Sequence, residues 1–301
     1  MTHTPPIAAD RAGAQRALPA RHPLRWVAIA AVVLIAAGLV TSAVTNQRFQ
    51  WDVIGTYLFS TNIIGGIGRT LLLTLVCMAI GIVFGTLLAI ARLSPNPVLS
   101  GAAWFYVWVF RGTPVLVQLI LWFNLSALYP DILGLNTNQL ITPFAAAVLG
   151  LSLNESAYMA EIVRSGVLSV DEGQSEAGAS LGMTRMQVMR RIILPQAIRV
   201  VIPTTGNQLI GLLKYTSLVS VLAVPDLLYS AELVYQQNYK VIPLLLVASI
   251  WYLVITSLLM VGQYYLERHF SRGSVRTLPR TPGQRVRAAL IRRTPRVGVR
   301  A

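Results

Sequence analysis

Charge is what this sequence has least of. Only 12% of its 301 residues are charged and 54% are hydrophobic, with a mean hydropathy of +0.60. Soluble domains carry about 25% charged residues. The deficit excludes an ordinary water-soluble domain and argues for an integral membrane protein. Cysteine occurs once, as Cys77 inside an apolar run, so no intrachain disulfide or cysteine-based metal site can form. The three histidines, His3, His22 and His269, lie near the ends, and no His-Glu-x-x-His occurs. Only two lysines exist, Lys214 and Lys240, and neither follows glycine or precedes serine or threonine. A phosphate-binding loop needs that arrangement, so the chain is not expected to hydrolyse ATP. The nearest approach to a serine-hydrolase elbow, Gly150-Leu151-Ser152-Leu153-Asn154, lacks its last glycine. With these groups missing, the chain is expected not to be an enzyme and to need no metal or cofactor of its own. Any work it does must draw on a separate subunit or an ion gradient.

What is present is apolar length, with arginine at the ends. Four arginines fall in the first 25 residues and ten between Arg268 and Arg300. Basic charge can mean nucleic acid, but in a chain of spans it reads as cytoplasmic flanks, and no nucleic-acid partner is expected. Residues 1–25 are expected to be a disordered basic tail. The run after Arg25 is too long for a cleavable signal and reads as a retained first span over Trp26–Val44. An aromatic-bearing interfacial segment follows it. Further spans are expected at Thr70–Ala91, Pro114–Leu128, Ile141–Val163, Val201–Val224 and Val241–Leu266. Residues 98–110 are expected to form a short interfacial helix, because Arg111-Gly112-Thr113-Pro114 interrupts the apolar run. The division is 1–25, 26–64 (extra first span and outer segment), 65–266 (transmembrane domain) and 267–301 (basic tail). Six spans put both basic tails and the loop at 164–200 on the cytoplasmic side.

Polar groups inside spans are costly, and each is a candidate functional site. Arg111 and Glu161 lie at similar depth and are expected to pair beside an inner gate, with Gly112 and Thr113 serving the bend before Pro114. Arg164 is expected to snorkel to the interface. Asn154, Glu155, Tyr158, Asn207 and Lys214 lie deeper. They can line a cavity for an amino acid zwitterion, or they can bond helices together. Ala79, Gly81 and Gly85 read as close helix packing.

The loop carries the most punctuation. Ser169 with Glu172 and Thr184 with Gln187 each match a capping box. Gly182 suits a helix C′ position, and Pro195 is expected to close the second helix. Arg185, Arg190 and Arg191 alternate with Met186, Val188, Met189, Ile192 and Ile193. That mixture fits a helix on lipid head groups as readily as one docked on a protein.

Glu176-Ala177, Gly182, Ile192 and Leu194-Pro195 resemble the E-A-A motif of ATP-binding cassette importer permeases. FRGTPVLVQL (Phe110–Leu119), LNESAYMAEIVRSG (Leu153–Gly166) and YTSLVSVLAVPDLL (Tyr215–Leu228) resemble the polar amino acid, histidine/glutamine-type branch. The resemblance spans about residues 65–265 in consistent order, with Gly178 and Asp171 departing from the usual pattern. It implies an all-α, multi-pass protein of the bacterial cytoplasmic membrane with the type I importer permease fold. Its implied partners are a second permease, identical or related, two ATPase subunits carrying ATP and Mg, and an extracytoplasmic solute-binding protein. The implied cargo is a polar amino acid, moved by alternating access. Glu176, Ala177, Gly178, Gly182, Met183, Ile192, Leu194 and Pro195 would then form a coupling helix seated on an ATPase. The alternative is an ion-driven secondary transporter, which needs no docking loop.

Overall fold

The computed structural model of the protein describes residues 23–270. The basic C-terminal tail expected beyond that point, and nearly all of the N-terminal one, lie outside the described residues. Residues up to Gln50 and those from Trp51 onward form two units.

The first unit contains α1 (Pro23–Thr45) and a single 3-10 turn at Gln47–Phe49. The apolar stretch Val27–Thr45 buries nothing within the protein, as a helix solvated by lipid requires. Asn46 stops it, its side chain accepting a hydrogen bond from the Arg48 amide at 3.0 Å.

Among its described residues, the second unit is largely helical, with one small hairpin. It runs α2 (Trp51–Leu58), α3 (Thr61–Arg92), α4 (Pro97–Gly112), α5 (Val115–Phe123) and α6 (Leu125–Leu128). An antiparallel pair follows, β1 (Asp131–Ile132) and β2 (Leu135–Asn136), then α7 (Thr137–Leu140) and α8 (Pro143–Leu168). The chain continues through α9 (Glu172–Ser180), α10 (Arg185–Val188), a π-helical turn (Met189–Ile193) and α11 (Leu194–Tyr215). A 3-10 stretch (Thr216–Leu222), α12 (Leu227–Asn238) and α13 (Val241–Phe270) complete it. Among the described residues three helices, α1, α3 and α13, are individually long and apolar enough to cross a membrane. Two bent pairs, α4 with α5 and the Arg185–Leu222 helix with α12, bring the number to five. At 26 residues α8 is also long enough to cross, but it carries Asn154, Glu155, Glu161 and Arg164. Counting it gives the six spans read from the sequence.

Several boundaries differ from expectation: the span expected from Val201 already starts in a run from Arg185, the one expected over Pro114–Leu128 is split between α5 and α6, and two others have a clear cause. Helix α3 begins at Thr61, nine residues before the expected start, so Arg69 lies within it. Its guanidinium donates to the Pro225 carbonyl at 3.3 Å, so the charge finds a partner inside the helix run instead of ending it. The expected connection after Val224 is mostly α12. Asp226 caps it, accepting from the Tyr229 amide at 2.9 Å, and its other oxygen accepts from the Tyr252 hydroxyl at 3.2 Å. The polar sequence of α12, with its Tyr, Gln and Asn, concealed a helix that buries only Leu227, Ser230, Ala231 and Val234.

Two apolar clusters organise this unit, and α3 contributes to both. Leu73, Cys77 and Met78 meet Leu119 of α5, Leu151 of α8 and Leu212 of α11. Nearer its start, Ile63 joins Ile54 of α2, Leu227 and Ala231 of α12, and Leu244 of α13. Helix α2 is fixed to this unit by the Trp251 indole, which donates to the Leu58 carbonyl at 2.7 Å.

The most extensive helix contact joins α3 and α8, which run parallel. A β-carbon on Gly81 would lie 2.6 Å from Glu155 Cγ, and one on Gly85 would lie 2.8 Å from the Ser156 carbonyl oxygen. Backbone approach this close needs glycine, and in lipid such van der Waals packing replaces the missing hydrophobic drive. Gly85→Ala is therefore expected to destabilise the protein by about 1–3 kcal/mol, the range for overpacking. Gly101→Ala, where nothing lies within 4 Å, should be neutral or mildly stabilising. Thermal unfolding of the two variants in detergent reads the difference, and equal midpoints would refute the packing argument.

Candidate functional site

Two places gather the candidate residues: the polar loop and a sharp bend among the spans. In the loop, Ser169 ends α8, its hydroxyl donating to the Gly166 carbonyl at 2.7 Å. It does not cap the next helix, because α8 continues to Leu168 and uses Ser169 at its own C-cap. Asp171 takes that role, accepting from the Gly173 amide at 2.8 Å. Helix α9 ends in a Schellman turn. Gly182, at φ +76°, places its amide on the Ala179 carbonyl and the Met183 amide on the Gly178 carbonyl, at 2.9 and 3.1 Å. Thr184 and Gln187 form the expected reciprocal capping box, at 3.3 and 2.8 Å.

Pro195 does not close the second helix. It sits in the first turn of α11, and the helix passes through it. Proline offers no N–H and its ring crowds the carbonyl four residues back. The preceding π-helical turn absorbs that conflict, with the Leu194 amide bonding the Met189 carbonyl five residues back. The loop thereby joins α11 as one helical run from Arg185 to Leu222.

The outward face of the loop differs from the expected one. Gly178 is buried, and a β-carbon there would lie 2.8 Å from Val188 Cγ2 and 3.1 Å from Ile192 Cδ1. Gly178 and Ile192 therefore close α9 onto the helix after it and do not form the outer surface. Glu176, Ala177 and Ala179 are exposed, and the Glu176 carboxylate has no hydrogen bond among the described residues. A cavity of about 430 Å³ lies beside them, lined by Glu176, Ala179, Met183, Arg185, Met189 and others. Leu181 and Met186 are 81% and 60% exposed. Met186 was read in the sequence as part of the mixed arginine and apolar helix, whereas Leu181 was passed over, although an apolar residue beside the Gly182 turn was the available signal. Leu194 is also exposed.

At the second place, α4 and α5 meet at 100°. Thr113 is extended, as a residue before proline prefers, and Pro114 starts α5. The bend leaves the last carbonyls of α4 without helical partners. Two side-chain amides satisfy them. Gln118 Nε2 donates to the Phe110 carbonyl at 3.0 Å, the Thr113 carbonyl at 3.1 Å and the Thr113 hydroxyl at 2.7 Å. Asn154 Nδ2 donates to the Phe110 carbonyl at 2.8 Å and to Gln118 Oε1 at 3.1 Å. Tyr106 adds a bond from its hydroxyl to the Leu153 carbonyl at 2.9 Å. Gln118 stands inside a quoted motif yet was not singled out. A lone amide in the apolar run VLVQLILWF was the signal for it.

The expected Arg111–Glu161 pair is not formed. Glu161 pairs instead with Arg164, one turn along α8, whose Nε donates at 3.0 Å. A partner three residues away on the same helix is within reach. Arg111 lies over the Tyr158 ring, 5.2 Å from its centroid, in a cation–π contact. That pair separates two cavities. One, of about 460 Å³, is lined by Gly112, Thr113, Pro114, Asn154, Tyr215 and Leu218 together with the pair. The other, of about 410 Å³, is lined by Arg92, Trp104, Val107, Trp108, Gly112 and Glu161 together with the pair.

Of the five deep polar candidates, Asn154 and Tyr158 share the first cavity. The other three do not reach it. Glu155 is 1% exposed, packs on Gly81 and accepts from Gln208 Nε2 at 3.1 Å. Asn207 donates to Glu267 Oε1 at 3.0 Å, bonding α11 to α13. Lys214 is exposed at the end of α11. The reason is angular: neighbouring residues on a helix point about 100° apart, so Asn154 and Glu155 cannot face one cavity together.

Residues 81–272 match the family described as binding-protein-dependent transport system inner membrane component. The chain is 52% identical to an arginine transport system permease protein of Corynebacterium glutamicum over 273 residues, 87% of this chain and 85% of that one. It is 37% identical to an L-cystine transport system permease protein of Bacillus subtilis, covering 75% of this chain and 94% of the other. The crystal structure of an amino acid ABC transporter with histidines matches with a TM-score of 0.64 at 36% identity, over 69% of this chain and 94% of that chain. With its apolar helices, its bent span pair and this match over most of its length, the chain belongs to the family of binding-protein-dependent transport system inner membrane components.

Proposed function

We propose that this protein is the permease subunit of an ATP-binding cassette importer for polar amino acids, with arginine the first cargo to try. The observation that carries the proposal is its 52% identity, over most of both chains, to an arginine transport permease. The cavity at the α4–α5 bend fits a small zwitterion. Arg111 offers a cation to a carboxylate, and Tyr158 and Asn154 add a ring face and an amide. An ion-driven secondary transporter, the alternative weighed on sequence, finds no support among the relatives.

In this reading the loop faces the cytoplasm with both tails, and Glu176, Ala177, Met183, Leu194 and Pro195, joined by Leu181 and Met186, seat it on an ATPase subunit. ATP and Mg belong to that subunit. A second permease, a copy or a relative, completes the pathway, and a solute-binding protein delivers the cargo on the other face. ATPase closure draws on the loop, and the unbroken run from Arg185 to Leu222 carries that pull into the spans. Arg111, Gly112, Thr113, Pro114 and Glu161 sit where the two cavities adjoin and are assigned to the gate. The chain carries out no covalent chemistry.

Glu176→Lys is expected to abolish most ATPase co-purification and lower uptake at least tenfold, with the chain still inserted and folded. Unchanged association and uptake would remove the docking role. Asn154→Leu strands Gln118 Oε1 and leaves the Phe110 carbonyl with Gln118 Nε2 alone, a loss of about 1–3 kcal/mol for a buried group left unpaired. Its unfolding midpoint in detergent should fall and its uptake should drop with it. An unaltered midpoint would show that the bend does not depend on this amide.

A further inference from the structure

The second cavity at the bend, lined by Arg92 and Trp104, is not explained by amino acid transport. Arg92 stands in the last turn of α3, where the chain leaves that helix for the Ser94–Pro97 connection. Its Nε is buried and has no acceptor. Arg111, which lines the same cavity, lies over the Tyr158 ring and near enough to Glu161 to feel its charge, without an ion pair or hydrogen bond among the described residues. Glu161 contributes an acid to the same wall, but Arg164 already holds it. Two guanidinium groups therefore line about 410 Å³ of space whose one acid, Glu161, is already paired with Arg164, so arginine outnumbers carboxylate around it. Trp104 and Trp108 stand on the same wall, stacked with ring centroids 6.1 Å apart and planes within 9°. They are 51% and 59% exposed, and they lie on a helix that also bears Val98, Leu99 and Phe105 outward. Exposed tryptophan beside unpaired arginine at a helix end is the composition of the membrane–water interface. Basic pockets between spans at that level bind lipid head groups.

We infer that this cavity binds the phosphate of an anionic phospholipid, with Arg92 and Arg111 donating to its oxygens and the Trp104–Trp108 stack against the glycerol and upper acyl chain. A phosphodiester accepts forked guanidinium bonds from two sides, which matches the placement of the two arginines. The volume suits a head group better than a bare ion. The bound lipid would brace α4 against α3 and α8, the elements that carry the bend, with Arg111 standing between the lipid phosphate and the cargo cavity.

The test is retention of lipid by the full chain in detergent, read by native mass spectrometry after incubation with phosphatidylglycerol or phosphatidylcholine. Wild type is expected to retain at least one more phosphatidylglycerol per chain than Arg92→Gln, and to show no such preference for phosphatidylcholine. Arg92→Lys should recover part of that retention, and Arg199→Gln, which removes an exposed charge elsewhere, should leave it unchanged. The arginine-rich tails are common to all four proteins, so their own lipid binding cancels. Equal retention in Arg92→Gln and wild type overturns the site, as does equal retention of phosphatidylcholine. Displacement of the lipid by millimolar inorganic phosphate would mark a free-anion site instead, and displacement by arginine would mark a second cargo site. Either result also overturns the assignment. The measurement requires no ATPase and no uptake, so its failure is separate from any failure of the transport reading.

Discussion

Everything in this protein depends on how a backbone broken inside a membrane keeps its hydrogen bonds. Hydrocarbon supplies no donors or acceptors, so every irregular carbonyl must be satisfied by the protein itself. The 100° turn between α4 and α5 would leave the end of α4 unpaired, and the amides of Gln118 and Asn154 remove that penalty. The same logic recurs at the start of α12, where Asp226 caps the helix, Thr70 accepts from the Leu227 amide at 3.0 Å and Arg69 binds the Pro225 carbonyl. Each break is held by side chains from a different helix. Irregular backbone therefore fixes the relative positions of the spans as well as interrupting them.

This explains where polar residues sit and what they can do. Asn154 bonds the bend with its nitrogen and borders the cavity, so structural and pathway roles meet in one side chain. Glu155, one residue on, is turned towards α3 and α11 and serves their contact. Asn207 and Gln263 do the same between α11 and α13, with Gln263 donating to the Pro203 carbonyl at 2.7 Å. Polar groups in these spans thus act first as connections between helices, and the cavity is the space those connections leave.

Much of this was legible in the sequence. Apolar length located the spans, and the Arg111–Pro114 interruption marked the bend, because proline and a pre-proline residue limit the backbone locally. The Thr184–Gln187 box and Gly182 were readable for the same reason: caps are local chemistry. What was not legible depended on direction. The sequence could not reveal that Gly178 faces inward, that Glu161 prefers Arg164 to Arg111, or that Arg69 sits inside a helix. Each follows from which neighbour another helix happens to present. Helix α12 was missed because its polar face resembles a loop when its apolar partners Ile54 and Ile63 lie far away in the chain.

The π-helical turn at Met189–Ile193 has a consequence for phase. A five-residue reach in place of four inserts roughly one extra residue, which rotates everything beyond it by about 100° about the helix axis. The loop before it and the span after it are thus set at independent azimuths on a single rod. Removing one residue there would leave both segments helical and the rod continuous. It would nonetheless turn the Glu176 face away from its present bearing relative to Tyr215 and the cavity.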